Sequence, residues 1–560
     1  MGKASCPVAT KHKKGPVMNT EKIEKLLDSM TVEDLCGQLL NYNIAPATPL
    51  EELDKQFRNT RPGGLFFGWN NTPERIAAVT ALAEKYTKAP VIVSADIENG
   101  PGCCLAAELF LPQMMSLGAA DDEALVERLG RRTAEICRES GIHWSFAPVV
   151  DINYNRDNPV TNIRAISDSP RQVAKIARAF VRGMQRDGLM VAGCKHFPGD
   201  GLDDRNQHFC TTVNSLSKEE WMETYGYVYK EMFKENVGSV MVGHIAFPAN
   251  EEEIDPILGP KPGTLSYNTM TRLLKGELGY DGCLISDAMS MVGTSVMCPP
   301  DRLSIEFIKN GGDMLLFPLE RDYGYLMGAI ESGEITLARL KDAVRRILVL
   351  KDKARLFEDK ATVLAEIKSD RADLEAAAEE LAEKSITLIR NAQNIIPMAP
   401  EKGAKFLIIN MQRPGEFAMK YMNQADVLKQ ELEARGYVAD MMSGVHVNHK
   451  SLEEKMPSYH CIIFACRINP MTYLGGTNRI NWDNIMSFWR GVGVAHPRVV
   501  FVSLGDPYKL YELPFLRTYL NAYSADPATM RAFVKVLLGE IPAMGKSPVA
   551  LKGFFDRETD

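Results

Sequence analysis

The segment VAGCKHFPG, residues 191–199, decides the fold class, because an apolar run typical of a buried strand ends there in two polar residues and a turn. Seven further runs of this form lie between residues 20 and 355 and alternate with helix-period segments: QLLNYN (38–43), GGLFFG (63–68), VIVSAD (91–96), HWSFAPVVD (143–151), SVMVGHI (239–245), GCLISD (282–287) and DMLLFP (313–318). Apolar strands that alternate with helices predict a parallel sheet buried on both faces. Eight such strands predict an α/β protein with a (β/α)8 TIM-type barrel over residues 20–355.

A second module follows the predicted barrel. Residues 356–385 read as a linker with a charged helix, in which Ser369 and Asp370 precede ADLEAAAEELAEK as capping residues. Between residues 386 and 560, helical segments alternate with four strand-like runs: FLIIN (406–410), CIIFAC (461–466), VVFVSL (499–504) and TYLNAYS (518–524). This pattern predicts a smaller α/β layer (sandwich) domain.

The composition limits the classes of partner. The chain has 560 residues, of which 45% are hydrophobic, enough for two or three domains with ordinary cores. Lys and Arg number 65 against 72 Asp and Glu, a formal charge of -7, so no long-range field favours nucleic acid or an anionic membrane. We therefore expect a small, neutral partner.

The sequence also predicts the compartment. Residues 1–19 are basic, lack the apolar region of a secretory signal and are predicted to form a flexible arm. The sequence contains no run of about 18 apolar residues, so no membrane span is predicted. The odd count of 11 cysteines, without a C-x-x-C pair, indicates reduced thiols rather than disulfides or a zinc site. A cytoplasmic location and no metal are the expectations.

Polar residues collect where the predicted barrel strands end. They are Asp96 and Glu98, Asp151, Lys195 and His196, His244, and Ser286 with Asp287. The carboxyl ends of the strands share one face of a TIM barrel, and active sites are built there from the following loops. We therefore expect residues spread over about 200 positions of sequence to converge on one pocket.

Three residues and one segment have both a chemical and a structural interpretation. Asp287, held rigidly at a strand end, suits a nucleophile, or caps the next helix. Asp96 is a carboxylate that can accept two hydroxyls of a ligand, or caps a loop. Arg164 contacts substrate, or is a surface cation. The segment KHFPGDGLDDRNQH, 195–208, is an active-site lid or a solvated turn, and the Lys195–His196 pair favours the lid.

These motifs resemble glycoside hydrolase family 3. KHFPG, SADIENG, FAPVVDIN with NPVTNIRAIS, and ISDAMSM occur in the family's order, most similar to its NagZ-like β-N-acetylglucosaminidase (β-N-acetylhexosaminidase) branch. The likeness continues through LGDPYKLYELP, LNAYS and GEIPAMGKSPVAL, and so covers nearly the whole chain after residue 20.

The resemblance implies a role for each matching residue. Asp287 stands at the position of the family's nucleophile, which forms a covalent glycosyl-enzyme in a retaining reaction. Asp96, Arg164, Lys195 and His196 match the groups that hold the sugar ring. His208 stands where the branch carries its acid/base histidine, in an Asp-Ser-His motif that here reads Asn206-Gln207-His208.

Two departures from the branch bear on the acid/base. Asp200 stands where the branch commonly has His, and Asn206 replaces the Asp that would stabilise a protonated His208. Two hypotheses follow. Either the enzyme is slower and has a more acidic optimum, or Asp200, Asp203 or Asp204 partners or replaces His208.

The resemblance predicts release of terminal β-linked N-acetylglucosamine, as in peptidoglycan recycling or from chitin-type oligosaccharides, with no metal or organic cofactor. A β-glucosidase or a glycoside phosphorylase on the same scaffold, and a catalytically degraded sugar-binding protein, are the alternatives. A Schiff-base aldolase that uses Lys195 is a more remote one. The chain lacks the full G-x-x-x-x-G-K-[ST] phosphate-loop pattern and GxGxxG, which leaves nucleotide chemistry without support.

Overall fold

The computed structural model describes residues 20–412, 424–443, 449–469, 480, 488 and 495–555. The predicted N-terminal arm, residues 1–19, lies outside the described residues.

Within these ranges, eight parallel strands form the predicted barrel. They are β1 Leu40–Ile44, β2 Gly64–Phe67, β3 Ile92–Ala95, β4 Trp144–Ser145, β5 Val191–Phe197, β7 Ser239–Val242, β9 Cys283–Ser286 and β10 Leu315–Leu316, while the short strands β6 Thr212–Val213 and β8 Ile245–Ala246 pair with each other. The strand order is β10-β1-β2-β3-β4-β5-β7-β9, and a bridge between Ile285 and Met314 closes the ring. Each predicted run overlaps one barrel strand, so the (β/α)8 prediction is confirmed.

Helices surround the barrel. They are α1 Thr20–Ser29, α2 Val32–Gln38, α3 Leu50–Thr60, α4 Pro73–Glu84, α5 Met114–Ala120, α6 Glu123–Glu139, α7 Pro170–Met184, α8 Lys218–Glu223, α9 Tyr225–Lys234, a π-helix Asn268–Glu277, α10 Val292–Ser295, α11 Leu303–Lys309, α12 Glu320–Glu331 and α13 Leu337–Lys353. The side chains of β2, β3, β5, β7 and β9 are buried throughout, as the continuous apolar runs predict.

Strand β4 is shorter than the apolar run that predicts it. The regular ladder ends at Ser145, and Pro148, which has no N–H to donate, lies in the irregular segment that follows. The chain nevertheless stays beside β5, because Val149 forms an isolated bridge with Lys195. Asp151 therefore lies next to the end of β5, where the site begins.

Helices α14 Lys360–Ala365 and α15 Arg371–Ser385 occupy the predicted linker. Asp370 is the N-cap of helix α15, as predicted, and its side chain accepts a hydrogen bond of 2.9 Å from the Asp373 N–H. Leu374 and Leu381 are buried. One face of α15 contacts α5 and α6 of the barrel, and α15 also contacts α18 Pro527–Leu537, the last helix within the described residues. The linker is therefore packed between both modules.

The second module contains, among the described residues, a six-stranded sheet in the order β11-β16-β15-β14-β12-β13. Its strands are β11 Thr387–Asn391, β12 Lys405–Gln412, β13 Val438–Ser443, β14 Cys461–Arg467, β15 Val499–Ser503 and β16 Thr518–Asn521, with helices α16 Gln424–Ala434, α17 His449–Lys455 and α18. The four predicted strands are the inner ones. Only β11 runs antiparallel to its neighbour. No helix within the described ranges is long and apolar enough to cross a membrane.

Candidate active site

The barrel face at the carboxyl ends of the strands carries the predicted polar residues. Lys195 and His196 end β5, Asp287 follows β9, and Asp96 follows β3. Arg164 lies at the end of a short 3-10 helix in the long loop after β4. The contacts described below join them into one site.

Two cations and two carboxylates form a continuous chain of ion pairs. Lys195 Nζ lies 2.7 Å from Asp96 Oδ1 and 2.6 Å from Glu98 Oε1. The Arg164 guanidinium donates two hydrogen bonds, of 2.9 and 2.7 Å, to the Glu98 carboxylate. The Lys195 side chain is only 3% exposed, whereas that of Asp96 is 46% exposed. Asp96 thus presents a carboxylate edge to solvent at the site, and Arg164 is not a surface cation.

The pKa values of Glu98 and Lys195 are shifted in the directions that keep both groups charged. Burial raises the pKa of Glu98, but the charges of Arg164 and Lys195 outweigh it and hold this pKa well below its ordinary value. Burial lowers the pKa of Lys195, but Asp96 and Glu98 outweigh it and raise this pKa. A Schiff-base lysine needs a neutral amine. The ion pairs therefore argue against the aldolase alternative.

His196 is oriented from behind by a carboxylate. Its Nδ1 lies 2.7 Å from Asp151 Oδ2, and its backbone N–H donates to Asp151 Oδ1 at 3.1 Å. Since a carboxylate only accepts hydrogen bonds, Nδ1 carries the proton. The opposite ring nitrogen, Nε2, lies 4.0 Å from Asp287 Oδ2. Asp151 is fully buried, so His196 presents a fixed edge to the site beside Asp287.

Asp287 does not cap a helix. Its Oδ1 accepts a hydrogen bond of 2.7 Å from the neighbouring Ala288 N–H, while the cap position of α10 belongs to Met291. Burial raises the pKa of Asp287, but the imidazoles of His196, His244 and His208 together lower this pKa by more, so the net shift is downward. Asp287 is therefore an ionised carboxylate at the end of a rigid strand.

The side chain of Asn206 forms a hydrogen bond with the His208 ring. Its Oδ1 lies 2.8 Å from His208 Nδ1 and accepts the His208 backbone N–H at 3.0 Å. The backbone bond fixes the amide with its oxygen toward His208, so Nδ1 is the donor and Nε2 is the reactive nitrogen. Burial lowers the pKa of His208 to about 4, although the Asp287 charge acts in the opposite direction. The imidazole is therefore neutral near pH 7.

The predicted lid segment 195–208 begins inside β5, and the loop that carries His208 extends to residue 211. Residues 199–211, called the lid from here on, are joined to the loop that follows Asp287. The Val292 N–H donates to the His208 carbonyl at 3.1 Å, and Thr211 Oγ1 donates to the Gly293 carbonyl at 2.7 Å. Gly293 is required there, because a Cβ would lie 2.3 Å from the Gln207 carbonyl oxygen. These contacts hold the His208 segment against the Asp287 loop.

Two of the lid carboxylates, Asp200 and Asp203, have partners other than the His208 ring. Asp200 Oδ1 accepts hydrogen bonds from Asn158 Nδ2 at 2.7 Å and from the Gly201 N–H at 2.6 Å. Burial, followed by the Asp151 charge, raises the pKa of Asp200 to about 6. Asp203 pairs with Arg205 at 2.6 Å, and Asp204 is exposed. Of the two sequence hypotheses, the geometry thus favours Asn206 over a recruited carboxylate as the partner of the His208 ring.

Sequence reasoning placed Glu98 and Asp151 at strand ends but gave neither a role. Glu98 joins Arg164 to Lys195, and Asp151 orients His196. The only signal was position, because Glu98 lies two residues after Asp96 and Asp151 ends its strand run. Among the residues the structure describes, no group of three or more His, Cys, Asp or Glu side chains has an arrangement that could hold a metal ion.

Replacing Glu98 by glutamine is expected to lower the free energy of unfolding by about 3 kcal/mol near neutral pH, because it leaves Arg164 and Lys195 buried without their shared counter-charge. The folded pKa of Glu98 is depressed, so its stabilising effect is present above its unfolded pKa and is lost as pH falls through the folded pKa. Urea unfolding of variant and wild type should therefore converge in acid.

Glu380→Gln is the matched control for this prediction. Glu380 also contacts two cations, Arg128 and Lys384, but its side chain is 39% exposed. Its loss should cost less than about 1 kcal/mol, as is usual for surface pairs. If both variants lose the same free energy of unfolding, the buried ion pairs of Glu98 contribute no more to stability than surface ion pairs do.

Comparison with known proteins identifies the family. The model of the glycosyl hydrolase family 3 N-terminal domain matches residues 31–350. A curated β-N-acetylglucosaminidase/β-glucosidase from Cellulomonas fimi is 30% identical over 548 residues, covering 94% of this chain and 95% of that protein. A β-hexosaminidase from Bordetella avium is 31% identical over 259 residues, covering 44% of this chain and 71% of that protein.

Solved structures show the same two-module architecture. The β-glucoside phosphorylase BglX, bound to 2FGlc, is 28% identical with a TM-score of 0.84, covering 95% of this chain and 96% of that chain. The glycoside hydrolase family 3 β-N-acetylglucosaminidase from Paenibacillus sp. str. FPU-7 is 25% identical with a TM-score of 0.81, covering 93% of this chain and 99% of that chain. The chain is therefore an enzyme that belongs to glycoside hydrolase family 3, and its substrates are carbohydrates.

Proposed function

We propose that this enzyme is a retaining exo-glycosidase that releases terminal β-linked N-acetylglucosamine, with Asp287 as nucleophile and His208 as acid/base. One observation carries the proposal: an ionised carboxylate and an imidazole with a defined reactive nitrogen meet on two joined loops, beside a carboxylate that is open to solvent. A retaining mechanism needs these two groups on opposite sides of the scissile bond.

Asp287 suits the nucleophilic step. In the first half-reaction its carboxylate attacks the anomeric carbon, the bond from that carbon to the aglycone oxygen breaks, and a glycosyl-enzyme forms. The lowered pKa keeps the carboxylate ionised in acid, and the strand β9 before it fixes its position. Water then displaces the carboxylate, so two inversions leave the configuration retained.

His208 suits the proton transfers. Protonated at Nε2, it gives its proton to the leaving oxygen, and neutral, it removes a proton from the attacking water. The Asp287 charge raises the pKa of His208 in the free enzyme. Once Asp287 is glycosylated this charge is gone, so the pKa of His208 falls and the neutral form needed for the second step is favoured.

The sugar ring is held by the remaining site residues. Asp96 offers carboxylate oxygens to two hydroxyls, Lys195 and Arg164 are cationic hydrogen-bond donors beside that carboxylate, and His196 turns Nε2 toward the site. The relatives named as N-acetylglucosaminidases and hexosaminidases support an N-acetyl sugar. Peptidoglycan turnover in the cytoplasm is the corresponding physiological proposal, and the ten cysteines in the described ranges, all unpaired, agree with a reducing compartment.

The second candidate function is phosphorolysis of a β-glycoside. The neutral state of His208 near pH 7 favours it, because a neutral imidazole does not repel an approaching phosphate, and phosphate needs less help from a base than water does. The similar structure of a β-glucoside phosphorylase agrees with this candidate.

Initial rates with 4-nitrophenyl β-N-acetylglucosaminide and β-glucoside, measured across pH with and without phosphate, test the proposal. Faster turnover of the N-acetyl substrate, with a β-configured sugar as first product by NMR, supports it. Acceleration by phosphate with formation of a sugar 1-phosphate supports the phosphorylase. Turnover of neither glycoside by folded protein would contradict both and favour a sugar-binding protein.

Replacing Asn206 by aspartate is expected to move the alkaline limb of the kcat/KM profile upward by about one pH unit or more, because a carboxylate beside Nδ1 stabilises the imidazolium. In the wild type this limb reports the protonated acid, whose pKa is about 4, so the wild-type optimum should be acidic. Initial rates across pH measure the shift.

Asn59→Asp, which adds the same charge at an exposed position, is the control and should leave the profile in place. An unchanged limb in Asn206→Asp would show that the residue at position 206 does not set the proton affinity of the acid/base. The electrostatic explanation of an acidic optimum would then fail.

A further inference from the structure

The loop after β4, residues 146–169, lies between the barrel site and the second module, and is called the β4 loop. It carries Asp151 and Arg164 of the site. Three of its polar side chains, those of Asn153, Asn158 and Asn162, are at most 2% exposed. Buried amides need hydrogen-bond partners, and the partners of these three lie in the second module, in the lid and within the β4 loop itself.

Two of the partners belong to the second module. Asn153 Nδ2 donates to Tyr508 Oη at 2.9 Å, and Asn162 Nδ2 reaches Asp506 Oδ1 at 3.4 Å. Asp506 is itself fixed by a fully buried ion pair, in which its Oδ2 lies 2.8 Å from Lys509 Nζ. The second module therefore offers rigid polar anchors to the β4 loop.

The end of the β4 loop has further anchors in the second module. Ser167 Oγ donates to the Pro548 carbonyl at 2.6 Å, and the Ala550 N–H donates to Asp168 Oδ2 at 2.8 Å. These contacts hold the loop just after Arg164 in sequence, whereas the contacts of Tyr508 and Asp506 hold the loop just before it.

The anchors connect directly to Arg164. Thr161 Oγ1 donates to Asn153 Oδ1 at 3.2 Å, and the Arg164 N–H donates to the Thr161 carbonyl at 2.7 Å. Asn162 lies two residues before Arg164 and has a positive φ of 34°, a conformation that asparagine tolerates. The turn that aims the guanidinium at Glu98 is thus built on residues that the second module holds.

The same loop also holds the lid. Asn155 Nδ2 donates to the Leu202 carbonyl at 2.9 Å, and Asn158 Nδ2 donates to Asp200 Oδ1 at 2.7 Å and to the Asp203 carbonyl at 2.8 Å. The lid carries His208. A displacement of the β4 loop would therefore be passed both to Arg164 and to the lid.

We propose that the second module serves the reaction by positioning the β4 loop, with Tyr508 and Asp506 as positioning residues that act on sugar binding through Arg164. Neither residue touches the reacting atoms. This inference rests on the proposed function, because it takes Arg164 as part of the sugar site.

Two conservative changes test it. Tyr508→Phe removes the hydroxyl that accepts from Asn153, and Asn162→Gly removes the amide while keeping the positive φ accessible. The matched controls are Tyr523→Phe, which removes a buried hydroxyl bonded to Thr387 within the second module, and Asn394→Gly, at an exposed position with φ of 50°.

We expect kcat/KM for the N-acetylglucosaminide to fall about tenfold in both test variants, mainly through KM, because small misplacements of binding groups are costly. The controls should stay within about twofold of wild type. In an Arg164→Lys background the test changes should add less than about twofold, since residues that act through one group are not additive. Additive losses would overturn the proposal, because they would show a role independent of Arg164.

Hydrogen exchange of the unliganded protein gives a readout that needs no substrate. Amides of residues 153–168 and 199–211 should exchange faster in the test variants than in wild type or the controls, while those of β9 stay unchanged. Unchanged exchange in both segments would overturn the proposal even in an active enzyme. If wild type turns over neither glycoside, the proposed function fails, and the exchange result still decides whether the second module holds the β4 loop.

Discussion

Asp287→Ala is expected to lower kcat and kcat/KM for the β-N-acetylglucosaminide by about 10⁴-fold or more, since loss of a nucleophile removes the covalent route altogether. The side chain is 13% exposed and accepts a hydrogen bond from the next backbone N–H, that of Ala288, so the fold should tolerate alanine. Initial rates with the 4-nitrophenyl glycoside measure the loss, and thermal unfolding checks the fold.

Azide offers a second readout for this variant. The space left by the carboxylate admits a small anion, which can attack the anomeric carbon from the same side and give a glycosyl azide of inverted configuration. Asp301→Ala, at an exposed position in the same loop, is the control and should keep wild-type rates. Retention of turnover above about one per cent of wild type in Asp287→Ala would rule out Asp287 as the nucleophile.

His208→Gln is expected to slow the enzyme by about 10²- to 10⁴-fold with a chitobiose-type substrate, whose poor leaving group needs a proton. The first step with a 2,4-dinitrophenyl glycoside should be much less affected, because that leaving group departs without protonation. The alkaline limb that reports His208 should also disappear from the pH profile. Comparing kcat/KM for the two substrates measures the difference.

The control for this prediction is His460→Gln, which changes an imidazole in the second module and should leave both substrates unaffected. An equal loss with good and poor leaving groups would show that His208 does not transfer the proton. The role of acid would then have to be assigned to another group of the site.

The inner strands of both sheets were predictable because burial on two faces leaves a continuous apolar run. The edge strands of the second sheet were not. In β13 only Ala439 is fully buried, and β11 is half-buried along most of its length, so both carry mixed polar and apolar residues. The two-residue length of β4 was also missed, because the apolar run continues past Ser145 into the irregular segment that contains Pro148.

The candidate site was predictable to the extent that it depends on sequence spacing. The Asn206–His208 contact spans two residues and follows from the motif, and Asp200 and Asp203 were open alternatives only because a loop brings several carboxylates close in sequence. Glu98 pairs with both Arg164 and Lys195, which lie 66 and 97 residues after it in the chain. No local sequence pattern indicates contacts over such separations. The roles of Tyr508 and Asp506 likewise require the packing of two modules.

The hydrogen bond between Val292 and His208 has a consequence for affinity. Together with the contact of Thr211 with Gly293, it orders the lid before any sugar arrives. The conformational entropy of that segment is therefore lost during folding and does not oppose ligand binding. Sugar should accordingly bind in a single fast phase, with an observed rate constant that rises linearly with concentration and does not level off at a closing step.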